Sequence, residues 1–205
     1  MNRADTTPAL TDTTPDTDSL ATEDSIVAEL EQLDIRYLSR RSSDAGAQGR
    51  PPATLLTDLM RQPSARVREA VIAVLLAHPA YAQAIPAALA QLSPSEQLAL
   101  RLFYSAAVLL QQQYADMLRP YVAERWQGLP DLFSQELGIA AQGTPQERLT
   151  RLGAAHRAYT RSVVNWTGTY DNVARKLLRR WNLEHRDPKE FQACFLEIRQ
   201  RYSQT

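Results

Sequence analysis

An all-α fold is predicted by three observations on this chain. A helix-capping residue is followed by proline and, three positions after the cap, by glutamate at Ser93-Pro94-Ser95-Glu96, Thr144-Pro145-Gln146-Glu147 and Asp187-Pro188-Lys189-Glu190. The cap oxygen accepts from an orphan backbone N–H, proline at the first helical position lacks a donor that would be unsatisfied anyway, and glutamate reaches back to the cap. Apolar residues elsewhere recur at spacings of three, four and seven, and no comparable signal announces a β-strand. These features predict an irregular multi-helix bundle of roughly eight helices.

With 205 residues, 44% of them hydrophobic, the chain suits one domain behind a tail. Residues 1–23 are rich in Thr, Asp and Pro with few large apolar side chains, and are read as a disordered acidic tail; 24–205 form the helical domain. The single cysteine, Cys194, excludes an intramolecular disulfide and a cysteine-built zinc cage. It lies in the stripe Phe191, Cys194, Phe195, Ile198 and is read as inert packing. The longest apolar run, Ala70 to Ala77, is too short to span a bilayer, and no signal region opens the chain, so a cytoplasmic protein without membrane contact is expected. Twenty-one Arg against two Lys fits the codon bias of a GC-rich bacterial genome. Net charge is zero, but residues 1–50 carry −5 and residues 145–205 carry +6. Such asymmetry suits a nucleic-acid face, an acidic protein partner or attraction between tail and body.

Ser25 opens an amphipathic helix with Ile26, Leu30, Leu33, Tyr37 and Leu38 on one face. Residues 40–52, RRSSDAGAQGRPP, read as a linker or exposed loop. Between Pro52 and Leu92 come short helical pieces punctuated by Pro63, Pro79 and Pro86. Ser93 starts the most hydrophobic helix, expected to be central. Pro120 interrupts its continuation, and Gly128-Leu129-Pro130-Asp131 leads into a short helix ending near Gly138. Asn165, Thr167 and Gly168 end one helix and cap the next, with Trp166 in the corner between them.

The string Pro63-Ser64-Ala65-Arg66-Val67-Arg68-Glu69-Ala70-Val71-Ile72-Ala73-Val74-Leu75-Leu76 resembles a unit of the HEAT-like α-helical repeat families, whose second helix often opens with a Val-Arg pair. The resemblance covers residues 52–92 and implies a curl of stacked helix pairs; no second copy recurs at a fixed period, which leaves a plain bundle as the other reading.

On a wheel of about 100° per residue, Tyr170, Val173, Ala174, Leu177, Leu178 and Trp181 share one arc and Arg175, Lys176, Arg179 and Arg180 the other. With Arg148, Arg151, Arg157 and Arg161 on the preceding helix they make a candidate interaction face. Phosphate-binding, zincin and serine-hydrolase motifs are absent, and no carboxylate and histidine cluster has metal-ligand spacing, so no cofactor or metal is expected. Arg151-x4-His156 and Arg180-x4-His185 resemble the arginine–histidine pair of the helical HEPN ribonucleases, which would make Arg151 or Arg180 the stabiliser of phosphate charge and His156 or His185 the acid or base. With 21 arginines in 205 residues about one such spacing arises by chance, and the other reading is of surface or helix-end histidines. The sequence therefore predicts a non-enzymatic protein-interaction subunit of a bacterial complex, an adaptor, regulator or toxin-neutralising partner, docking a protein with an acidic surface. Nucleic-acid binding through the basic helices is the alternative, and ribonuclease activity the second.

Overall fold

The computed structural model of the chain describes residues 22–38 and 49–184. The tail up to residue 21, the stretch 39–48, the third cap at Asp187, and His185 and Cys194 lie outside the described residues.

Every regular element among the described residues is helical, as the capping signatures require. The order is α1 (Glu23–Gln32), α2 (Pro52–Arg61), α3 (Ala65–Arg68), α4 (Ala70–Ala77), a 3-10 turn (Pro79–Ala84), α5 (Ile85–Leu89), α6 (Pro94–Gln113), α7 (Ala115–Val122), a second 3-10 turn (Ala123–Arg125), α8 (Pro145–Thr160) and α9 (Trp166–Glu184). Thr144 caps α8 reciprocally: its Oγ1 accepts from the Glu147 N–H at 3.2 Å and its own N–H donates to Glu147 Oε2 at 2.8 Å. At α6 the Glu96 carboxylate accepts from both the N–H (2.8 Å) and the hydroxyl (2.7 Å) of Ser93.

All eight residues of α4 are buried, and the helix packs against α2, α6, α7 and α9. A helix apolar around its whole circumference has no face for water, so it must lie at the centre. α6 shares that position, between α4 and α8, so the bundle has a central pair where the sequence suggested a single central helix. Contact between α4 and α9, nearly a hundred residues apart, closes the bundle on itself, whereas a repeat curl joins each unit only to its neighbours.

One local expectation is corrected. Residues 131–138 form one hydrogen-bonded turn, Leu137 N–H to Phe133 carbonyl at 2.9 Å and Gly138 N–H to Gln135 carbonyl at 3.1 Å, and no helix. Gly138 still stops it, with φ 69°. At the end of the expected linker, Arg50 is an anchor: its guanidinium pairs with the buried carboxylate of Glu29, and reaches Ser25 Oγ at 2.8 Å and Asp58 at 3.2 Å. Its backbone N–H donates to Glu29 Oε1 at 2.6 Å, tying the start of α2 to α1.

Candidate interaction surface on the C-terminal helices

The α8–α9 corner is set by side chains. Asn165 Oδ1 accepts from the Gly168 N–H at 3.2 Å and caps α9. Trp166 stacks on His156 of α8 with ring centroids 3.6 Å apart and planes 10° from parallel, and the edge of Phe103 from α6 meets His156 at 5.9 Å. The Tyr170 hydroxyl and His156 Nδ1 share a hydrogen bond of 2.5 Å. Gly153 lets the helices cross this closely: a Cβ there would strike Thr167 Oγ1 and lie 2.8 Å from the Thr167 backbone N.

That corner sorts the residues that the sequence offered as a site. His156 is buried, not a surface histidine, and burial lowers its pKa to about 4, so the ring is neutral at physiological pH. Arg151 does not join it. Five residues place the two side chains about 140° apart on α8, and the Arg151 guanidinium turns to the preceding loop, donating to the Gln142 carbonyl at 2.5 Å. Arg180 donates to Glu184 at 2.5 Å, and His185 lies beyond the described residues. The structure therefore brings neither of the two arginine–histidine pairs that the sequence offered together among the described residues; the pair in contact there is Arg125 and His78, Nη1 to Nδ1 at 3.2 Å.

Arg148 is also withdrawn from the expected face. It is buried, pairing with Asp131 at 2.7 Å and donating to Ser134 Oγ at 3.2 Å. Burial works to raise the Asp131 carboxyl, but the hydrogen bonds from Arg148 and Ser134 outweigh it and hold the group below its ordinary value. The role of Arg148 is to fasten the 131–139 segment to α8.

The remaining cations are exposed. Tyr170, Val173, Ala174, Leu177, Leu178 and Trp181 are all buried on one side of α9, while Arg175, Lys176, Arg179 and Arg180 face outward. Arg175 is held by Asp171 at 2.8 Å, and Asp171 also accepts from the Tyr114 hydroxyl at 2.5 Å. Arg157, Arg161, Lys176 and Arg179 make no salt bridge among the described residues. The surface is divided, however. Arg157 and Arg161 border a shallow hollow of about 490 Å³ with Ala154, Ala158 and Ser162. Arg175 and Arg179 border a separate open groove of about 630 Å³ between α7 and α9, floored by Met117, Leu178 and Leu183. The two hollows share no residue.

The sequence reading missed three things here: the groove, the cation–carboxylate tie of Arg175, and the glycine that brings the helices together. Met117 and Leu183, 50% and 58% exposed, belong to α7 and α9, whose juxtaposition no local pattern announces. No cluster of three or more His, Cys, Asp or Glu able to hold a metal occurs among the described residues, and no single helix there is long and apolar enough to cross a membrane. Compared with models of protein families, with curated proteins and with solved structures, the chain matches none.

Proposed function

We propose that this protein is a non-enzymatic interaction subunit that docks an acidic surface of another protein along the outer side of α9. The observation that carries the reading is the pair Lys176 and Arg179, exposed cations without a salt bridge among the described residues, set on a helix whose opposite face is fully packed. Such a ridge is rigid, so binding orders little beyond the side chains themselves. Charge complementarity there would speed encounter and select against basic partners.

The test is purification of the tagged chain from its host at low salt, with and without nuclease, in parallel with Lys176→Glu/Arg179→Glu. A stoichiometric protein that survives nuclease and is lost from the variant is the expected result. Equal recovery by both chains would reject the ridge as the docking surface.

A second reading, direct nucleic-acid binding, is favoured by the number of uncommitted cations, with Arg157 and Arg161 added to Lys176 and Arg179. Contact with four phosphates would give a slope of log affinity against log salt near −3 to −4. A flat salt response rejects it.

A further inference from the structure

We propose, resting on the reading of the α9 ridge as the docking surface, that the acidic partner presents an amphipathic helix there. Its apolar stripe seats in the groove between α7 and α9, and its carboxylates reach over the rim to Arg179 and Lys176.

Groove and ridge are one continuous surface. Met117 on α7 and Leu183 on α9 are both at least half exposed and flank Leu178 on the floor of the hollow of about 630 Å³. Arg179 stands on its rim, and Lys176 lies about 60° further round α9, over the crest. A partner held by the ridge alone would leave the apolar floor in water, whereas one that also fills the groove gains apolar burial and charge pairing together. The methionine in that floor is unbranched and adapts to the apolar group laid against it.

The walls decide the form of the occupant. Both are helices, so an extended strand lying between them would meet no row of open N–H and C=O groups and would lose water from its own backbone without replacement. A helix arrives with its backbone already paired. Along α9 the groove runs from Arg175 to Leu183, about 12 Å and just over two helical turns. That length takes apolar residues at positions i, i+3 or i+4, and i+7 of the incoming helix, with Asp or Glu on the flank that faces α9. A second copy of this chain does not suit the groove, because docking groove to groove about a twofold axis would set the Arg175 and Arg179 rims against each other.

A photoreactive diazirine amino acid in place of Met117, in the full chain, tests the seat. After irradiation and affinity purification, the adduct is digested and sequenced by mass spectrometry. The expected adduct is a peptide of another protein with apolar residues at the stated spacing and carboxylates beside them. Synthesised and labelled, that peptide should become helical on binding by circular dichroism, and should bind Met117→Ala/Leu183→Ala at least about tenfold more weakly than the unaltered chain, because two anchors are truncated. Both side chains are exposed and alanine favours helix, so this variant keeps its fold. Its affinity should keep the salt dependence of the unaltered chain, while Lys176→Glu/Arg179→Glu should flatten that dependence. A partner that is lost from Lys176→Glu/Arg179→Glu yet gives no adduct at position 117, or binds Met117→Ala/Leu183→Ala unchanged, would overturn the helix in the groove and leave the ridge standing. An adduct peptide without the apolar stripe, or an adduct of position 117 with this chain itself, in one copy or between two, would overturn it as well. If the unaltered chain recovers no protein at all, the ridge reading fails and the helix falls with it.

Discussion

Arg50 and Arg179 are chemically the same residue in opposite situations. Arg50 sits between α1 and α2 with three acceptors, one of them the buried carboxylate of Glu29. Arg179 stands on the outer side of α9 with no salt bridge among the described residues. The first holds two helices together and is unavailable to a partner; the second contributes almost nothing to the fold and is free to bind. In a chain with 21 arginines, function therefore cannot be counted from charge, and has to be read from what each guanidinium already touches.

The comparison is broken most forcefully at Arg50. Arg50→Met leaves Glu29 buried without its cation, which costs about 3–5 kcal/mol, whereas Arg179→Met changes stability by less than about 0.5 kcal/mol. Urea unfolding of the two variants measures the contrast. Equal losses would mean that the α1–α2 clamp is not intact in solution. Adding Glu29→Met to Arg50→Met should return much of the loss, since a pair of apolar side chains replaces a buried ion pair at little cost.

The next effect comes from His156. Its folded pKa is lowered to about 4 by burial, below the ordinary 6.5, so the unfolded chain takes up the proton first. Stability contributed by the neutral ring is complete above pH 6.5 and is lost as pH falls from there towards 4, by up to about 3 kcal/mol. His156→Phe should flatten that part of the pH–stability curve. An unchanged curve in the variant would remove His156 as its cause.

A smaller loss is expected at Arg148→Leu. The side chain is more buried than that of Arg50, but its partner Asp131 is one-third exposed and can be rehydrated, so the cost is about 1–2 kcal/mol. The 131–139 segment should then lose amide protection in hydrogen exchange while α8 keeps its own.

Much of the helical architecture was legible because it rests on local rules. Thr144 with Glu147, the Asn165 cap and the buried arc from Tyr170 to Trp181 all follow from residues within a few positions of one another. What was not legible depends on distance along the chain. Glu29 and Arg50 are 21 residues apart and Tyr114 and Asp171 are 57 apart, and neither pair leaves a periodic trace. Arg148 and His156 were assigned to the surface because both residue types usually lie there. Their burial is decided by the 131–139 segment and by Trp166, whose positions only the assembled bundle fixes. Of the candidate face, the α9 cations were readable from the helical wheel, but its division into two hollows was not, since that depends on where α7 and α8 pack.

The smallest effect separates fold from surface at a single residue. Arg161 ends α8 with φ 49° and ψ 34°, a left-handed conformation that L side chains adopt at a cost of about 1 kcal/mol and glycine adopts freely. Its guanidinium is exposed and makes no salt bridge among the described residues. Arg161→Gly should therefore raise stability by about 1 kcal/mol in urea unfolding while removing one of the uncommitted cations. If it also weakens recovery of a partner, arginine is present at that position for binding and at the expense of the helix end. If recovery is unchanged, the docking surface ends on α9, and the Arg157–Arg161 hollow on α8 takes no part in it.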